Sequence, residues 1–374
     1  MRSRISSQVY QELQLRCQSL AASNNNGFRQ EFESLNDVGK EFPTRTGDLE
    51  ANREKNRYPA ILPYDHCRVR LSLQDSQHSD YINASFVPGG CSERDFVCTQ
   101  GPLCNTIADF WRMVWEQNVR VIVMVTALKH NSVVLCDQYW PLEQGTACFG
   151  LFQVSTLERK RGPDYFITTI RLRHWGCPAE RVITHYYYPV WPDHGVPKDA
   201  SSLCVFTEHV RQHLDALPRL GPAVVHCSAG VGRSGTFVSL LWLLQLCVGG
   251  IKPDVRAAVE DLRKHRVLMV QNLQCSSETE CSCPCCAGPG TPSQLLGALA
   301  SWSQVEAERE LGAKRTSPCP NTEHHAQPAE KTVALLNDDQ STLPQIMKGV
   351  STQTPIRPHT QFTPPSLHLN LLSV

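Results

Sequence analysis

The segment from Pro222 to Cys247 restricts the fold of this chain more than any other. Pro222-Ala223-Val224-Val225-His226 is short, apolar and β-branched, and predicts a buried strand. Thr236 to Cys247 predicts an apolar helix. Between them lies Cys227-Ser228-Ala229-Gly230-Val231-Gly232-Arg233-Ser234-Gly235. Gly230 and Gly232 permit a tight turn that points backbone N–H groups inward. The helix that follows adds its own free N–H groups and the positive end of its dipole. The product is an oxyanion cradle of phosphate size, with Cys227 at its base. The same N–H groups, with Arg233, favour the thiolate, which is the nucleophilic form. Arg233 offers a planar fork for two phosphate oxygens. The loop lacks the Gly-Lys-Ser/Thr ending of a nucleotide P-loop.

A cysteine attacking a phosphate ester needs a proton donor for the leaving oxygen. Trp191-Pro192-Asp193-His194-Gly195-Val196-Pro197 is the best candidate segment, with Asp193 as acid and then base. His194 is the competing acid. Standing alone, the segment also reads as a rigid turn.

Composition narrows the rest. Lys and Arg together number 36 and so do Asp and Glu, so the formal net charge is zero. No net positive field exists to hold nucleic acid, although a local basic pocket is compatible with that sum. The start, Met1-Arg2-Ser3-Arg4, leads into polar sequence rather than the apolar core of a secretory leader. With no leader expected, the seventeen cysteines read as mostly free thiols in a reducing compartment. The longest apolar stretch, Phe237 to Gly249, is too short to span a bilayer. A soluble, cytoplasmic chain is the expectation. Beyond Gln274 the only aromatics are Trp302 and Phe362, while eleven of the 25 prolines fall there. That tail predicts disorder, with one helix at Ser293 to Leu311.

Upstream, residues 7–37 read as helical pieces broken around Asn24-Asn25-Asn26-Gly27. Thr106 is the expected cap of a helix carrying Ile107, Phe110, Trp111 and Val114 on one face, with Asp109 as an imperfect capping-box partner. Val119 to Val125 and Arg181 to Tyr188 read as strands. Ser202 to Leu214 and Pro253 to His265 read as helices. Alternating elements of this kind predict a mixed α/β or α+β domain.

At this point the chain resembles the catalytic domain of a classical protein tyrosine phosphatase, closest to receptor-type members. Val225 to Gly235 matches that family's signature. Supporting segments occur in family order across about 28–271: Phe32-Glu33-Ser34-Leu35, Lys55-Asn56-Arg57-Tyr58, Asp80 to Ser85, Thr99-Gln100-Gly101-Pro102, Asp109-Phe110-Trp111, Gln138-Tyr139-Trp140-Pro141 and Trp191 to Pro197. The resemblance implies a central twisted mixed sheet flanked by helices, and hydrolysis of phosphotyrosine through a phosphocysteine. It implies Cys227 as nucleophile, Arg233 as phosphate clamp and Asp193 as general acid and base. His226 and Ser234 become modulators of the cysteine, and Gln271 the residue that positions water. Tyr58 would wall a deep pocket that selects phosphotyrosine over phosphoserine. Ser228, Ala229, Gly230, Val231 and Gly232 would supply phosphate-binding N–H groups. No metal or other cofactor is implied. The run Cys281 to Cys286 packs its thiols too tightly for a usual closed zinc site, and His324-His325 is remote.

The sequence departs from the family in places. Ala60 replaces the Asp or Asn expected two residues after the tyrosine, which weakens peptide anchoring. Asn131 stands where several members carry lysine. After Gln271 come Asn272-Leu273-Gln274-Cys275, so Cys275 takes the place of a second glutamine and Gln274 lies one position early. The aromatic-rich last core helix of the family has no counterpart in the sequence that follows. The expected division is therefore a helical lead-in at 1–27, a catalytic domain at 28–274 and a divergent tail at 275–374, as from an alternative C-terminus. Expected partners are phosphotyrosine-containing proteins, with pairing to another phosphatase domain as a further expectation. The competing function is an impaired domain that binds phosphotyrosine without turnover.

Overall fold

A computed structural model describes residues 7–73, 79–191, 200–218 and 220–271. They fall within one compact unit of the chain, Met1–Pro318. The expected helix at Ser293 to Leu311, the late cysteine run and the whole tail lie outside the described residues.

The architecture is a mixed sheet flanked by helices. In chain order the helices are α1 (Ser7–Glu33), α2 (Arg45–Asp48), α3 (Ile107–Glu116), α4 (Ala200–Ala216), α5 (Gly232–Val248) and α6 (Val255–His265). The strands are β1 (Arg68–Arg70), β2 (Tyr81–Val87), β3 (Phe96–Thr99), β4 (Val121–Met124), β5 (Lys129–His130), β6 (Val133–Val134), β7 (Gly145–Phe149), β8 (Phe152–Arg161), β9 (Phe166–His174), β10 (Glu180–Tyr187) and β11 (Ala223–His226). Nine strands pair in the order β1-β2-β3-β11-β4-β10-β9-β8-β7, while β5 and β6 form a separate ribbon. β11 runs parallel to both β3 and β4, with Val225 opposite Cys98 on one side and Val123 on the other.

This central position explains the apolar Ala223-Val224-Val225 run. Both faces of β11 are covered, so alternate residues enter different cores. Val225 and Cys227 join Val123, Phe206, Phe237 and Leu244 on the α4–α5 side. Val224 joins Ile122, Phe110 and Trp111 on the α3 side. A smaller cluster brings Phe28, Phe32 and Leu35 onto Val259 of α6 and onto Val270.

Several boundaries differ from the sequence expectation. α5 starts at Gly232, four residues before Thr236, which moves Arg233 and Ser234 into the first helical turn. Thr106 stands at the N-cap of α3 but does not cap it. A 3-10 turn precedes the helix, and the Thr106 hydroxyl turns back to accept the Leu103 N–H at 2.9 Å. α1 breaks at Ala22–Asn25, where Ser23, Asn24 and Asn25 all take positive φ. Before the break, α1 sends Leu13 into the same core as Cys227, so the lead-in packs on the sheet's helical layer. The hairpin β8–β9 was not legible. The charged run Glu158-Arg159-Lys160-Arg161 at the end of β8 is exposed or half-buried throughout, which breaks the two-residue alternation of that strand.

Candidate active site

The loop after β11 is pinned from below and behind. Gly230 has φ +74, and a Cβ there would lie 2.2 Å from the Thr99 carbonyl, so only glycine fits. Gly235 is demanded by packing, because a Cβ would meet the Val270 nitrogen at 2.4 Å. The Ser228 carbonyl accepts the Gly101 N–H at 2.8 Å. Arg266, fully buried, grips the back of the loop. Its Nε donates to the Gly230 carbonyl at 2.9 Å and one Nη to the Ala229 carbonyl at 3.0 Å. The fork also reaches Asn83 Oδ1 at 2.8 Å and Ser85 Oγ at 3.2 Å, both on β2. Holding these carbonyls outward turns the loop's N–H groups toward Cys227. Burial holds the Arg266 guanidinium below its ordinary pKa, an effect opposed by the nearby Cys98, Tyr81 and Cys227.

Cys227 is buried, and its Sγ accepts the Gly230 N–H at 3.2 Å. Burial by itself raises a thiol, and it pushes Cys98 up to about 12. Cys227 goes the other way. Against the penalty of burial stand Arg233, the Ser234 hydroxyl and the N–H groups of Ser234 and Gly230, and the net shift is downward. The Ser234 hydroxyl is itself buried without a well-formed hydrogen bond to any acceptor. Its dipole is therefore available to the Cys227 sulfur, whose thiolate it favours. Arg233, in the first turn of α5, donates to Thr126 Oγ1 at 2.7 Å, just past the end of β4. That bond ties the start of α5 to the segment that follows β4.

Behind Cys227 runs a buried polar chain. His226 Nδ1 lies 3.2 Å from the Cys227 carbonyl oxygen, an acceptor, so Nδ1 is the protonated nitrogen. His226 Nε2 must then accept, and it receives the Tyr139 hydroxyl at 2.7 Å. The Tyr139 oxygen in turn accepts from His185 Nε2 at 2.6 Å. His185 Nδ1 is left as a bare acceptor, and it is the atom of this chain with no partner. All three rings are fully buried. Burial drives His226 down to about 4, opposed by its bond to Cys227 and helped by Arg57. Burial holds His185 well below the usual imidazole range and Tyr139 well above the usual phenol range.

At the mouth, Tyr58 is 38% exposed and its hydroxyl lies 2.8 Å from Ser228 Oγ. The adjacent Arg57 fixes it. The Arg57 N–H donates to Gln100 Oε1 at 2.8 Å, and its guanidinium to the carbonyls of Gly101 at 3.0 Å and Pro102 at 2.7 Å and to Asp137 at 2.7 Å. Gln271 is exposed and lies beside the start of α5, where a methyl on Gly232 would sit 3.5 Å from its Cβ and 3.6 Å from its Oε1.

The structure thus gathers Cys227, Ser228, Ala229, Gly230, Val231, Gly232, Arg233, Ser234 and His226 with Tyr58 and Gln271. Asp193 and His194 lie outside the described residues, between the buried Trp191 and the start of α4. Sequence reasoning assigned no role to Arg266, Arg57, Tyr139 or His185. Arg57 and Tyr139 stood within segments that match the family, without a role, and Arg266 stood as a cation ahead of the apolar run Val267-Leu268-Met269-Val270. Among the described residues no cluster of metal-binding side chains occurs. The basic, thiol-centred cradle can stabilise an anion and present a nucleophile to it.

A family model described as protein-tyrosine phosphatase matches residues 52–275. The rat receptor-type tyrosine-protein phosphatase V is 44% identical over 247 residues, 66% of this chain and 14% of that protein. The human receptor-type tyrosine-protein phosphatase eta is 41% identical over 250 residues, 67% of this chain and 19% of that protein. A Caenorhabditis elegans tyrosine-protein phosphatase Lar-like is 41% identical over 263 residues, 70% of this chain and 12% of that protein. The chain spans less than a fifth of the length of these relatives.

Proposed function

Because the chain belongs to the protein-tyrosine phosphatase family, we propose that it hydrolyses phosphotyrosine in proteins through a phosphocysteine on Cys227. The observation that carries this reading is the thiol at the end of β11. It is buried, yet shifted toward the thiolate by Arg233, Ser234 and Gly230. In the first step the Cys227 thiolate forms an S–P bond while the P–O bond to the tyrosine phenol breaks. Asp193 donates a proton to the departing phenolate. Arg233 and the inward N–H groups of 228–233 take up charge on the equatorial oxygens. In the second step water, oriented by Gln271, attacks phosphorus and gives its proton to Asp193. The S–P bond breaks, inorganic phosphate leaves, and the Ser234 hydroxyl supports the returning thiolate. Tyr58, held by Arg57, walls the pocket to a depth suited to an aryl phosphate. The His185–Tyr139–His226 chain holds the Cys227 carbonyl and with it the direction of the loop.

The catalytic unit in this reading is residues 28–274, led in by 1–27 and followed by a divergent tail. No helix among the described residues is long and apolar enough to cross a membrane. The reading carries with it a cytoplasmic setting and phosphotyrosyl proteins as substrates.

The test is turnover of a phosphotyrosyl peptide beside a phosphoseryl peptide by the purified chain. Cys227→Ser should abolish turnover, and Asp193→Ala should lower kcat by about two orders of magnitude or more. A cooperatively folded protein that releases no phosphate from phosphotyrosine would overturn the proposal. Tight peptide binding by such a protein would mark a binding module instead.

A further inference from the structure

A cleft of about 430 Å³ opens at the far end of the sheet from Cys227. Its floor includes Val121 and Ala223, the first residues of β4 and β11. Cys227 is four residues further along from Ala223, about 13 Å of extended chain. The volume is in the range that holds a small molecule. Phe96, Leu214, Leu217, Leu220 and Leu241 make its walls apolar.

Five charged residues face this cleft: Arg94, Asp95, Arg120, Arg211 and Asp215. Three are engaged within the protein. Asp95 accepts the N–H groups of Gly89, Cys91 and Ser92, at 3.2, 2.8 and 2.9 Å, and the Ser92 hydroxyl at 2.9 Å. Arg211 is clamped by Asp215 at 2.6 Å and by Glu208 at 2.8 Å. Arg94 and Arg120 remain. Among the described residues neither has a carboxylate within ion-pair distance. Arg94 rests 4.8 Å over the Phe86 ring. Arg120 is half-buried, and its Nε is fully buried with no hydrogen-bond acceptor. A second guanidinium compounds the excess. Arg181 packs on Trp115, and its pKa is lowered by burial and then by the charge of Arg120. A buried N–H without an acceptor, on a half-buried guanidinium without a counter-charge, is costly where it stands. That cost falls if an anion enters beside Arg120, and the exposed Arg94 adds a second donor at the rim.

We propose that this cleft is a second ligand site, one that takes an amphipathic carboxylate. The head group lies on Arg120, with Arg94 beside it, and a hydrocarbon body runs along Phe96, Leu214, Leu217, Leu220 and Leu241. The site does not depend on the phosphatase reading, since none of its residues contributes to the loop around Cys227.

Calorimetric titration of the full chain tests it with decanoate, acetate and decanol. Inorganic phosphate is kept at a saturating level so that the Cys227 loop is occupied. Decanoate should bind with one-to-one stoichiometry, and acetate and decanol about tenfold more weakly or less. Arg120→Met should weaken decanoate about tenfold or more, and Arg94→Met several-fold. Cys91, an exposed thiol on the rim, should be alkylated more slowly with decanoate present. Should Arg120→Met fail to fold, Arg94→Met and the Cys91 protection carry the test. Decanol binding as tightly as decanoate, an affinity indifferent to both arginines, or no decanoate binding would each overturn the proposal. So would a decanoate affinity lost with Arg233→Met and kept with Arg120→Met, which would place it at Cys227.

Discussion

Lowering the pH from 7 to 4.5 should cost the native protein roughly 2 kcal/mol through His226 alone. His226 titrates near 6.5 when unfolded and near 4 in the fold, where it is buried between Tyr139 and the Cys227 carbonyl. The sign follows from proton uptake. Between these two values the unfolded chain binds a proton that the native state refuses, so stability falls with pH through that window. Each pH unit inside it is worth about 1.4 kcal/mol, and the edges of the window reduce the total. Burial also lowers His185 and His213, which adds loss of the same sign. His226→Asn isolates the effect of one ring, because the amide nitrogen can still donate to the Cys227 carbonyl but does not titrate. Urea unfolding at half-unit steps of pH gives both curves. The variant should be less stable at pH 7 and should lose roughly 2 kcal/mol less on going to pH 4.5. Parallel curves across pH 6.5 to 4.5 would refute the reasoning, since they would mean that His226 is protonated, or solvated, in the native state.

Arg266→Lys keeps the buried charge but loses the fork on the Ala229 and Gly230 carbonyls. Turnover should fall about tenfold or more while the thermal transition stays cooperative, and an unchanged kcat would remove Arg266 as the loop's support. Arg57→Met should raise KM for phosphotyrosyl peptides by about tenfold with a smaller change in kcat, because it loosens Tyr58 and leaves Cys227 and Arg233 in place. Steady-state kinetics at several peptide concentrations separate the two parameters. Leu13→Ala should destabilise the protein by about 2–4 kcal/mol if the first half of α1 belongs to the core, as its 5% exposure indicates. A denaturation midpoint within error of the parent would show that this segment is dispensable.

The signature loop was legible because its chemistry is local. Cys227, Gly230, Gly232, Arg233 and the flanking apolar runs lie within one strand, one turn and one helix, and a turn of this kind leaves few choices of residue. The outline of α3, α4, α6, β4 and β10 was legible for a similar reason, since the periodicity of each is carried by its own side chains. Arg266, Arg57, Tyr139 and His185 were not assigned roles, and none of them acts on its sequence neighbours. Arg266 reaches Gly230, 36 positions away, and Tyr139 reaches His226, 87 positions away. A buried arginine or histidine differs from a surface one only by what the fold places around it.

From the order of its residues alone, the chain determined a thiol in an anion cradle between a buried strand and a helix. Tertiary structure decided whether that thiol would ionise. Burial raises Cys98 and would raise Cys227 as well. The direction reverses because Arg233, Ser234 and Gly230 converge on one sulfur, and Arg266 holds the loop carbonyls away from it. That balance of desolvation against oriented dipoles and charge depends on distance in space, which a linear sequence does not encode position by position.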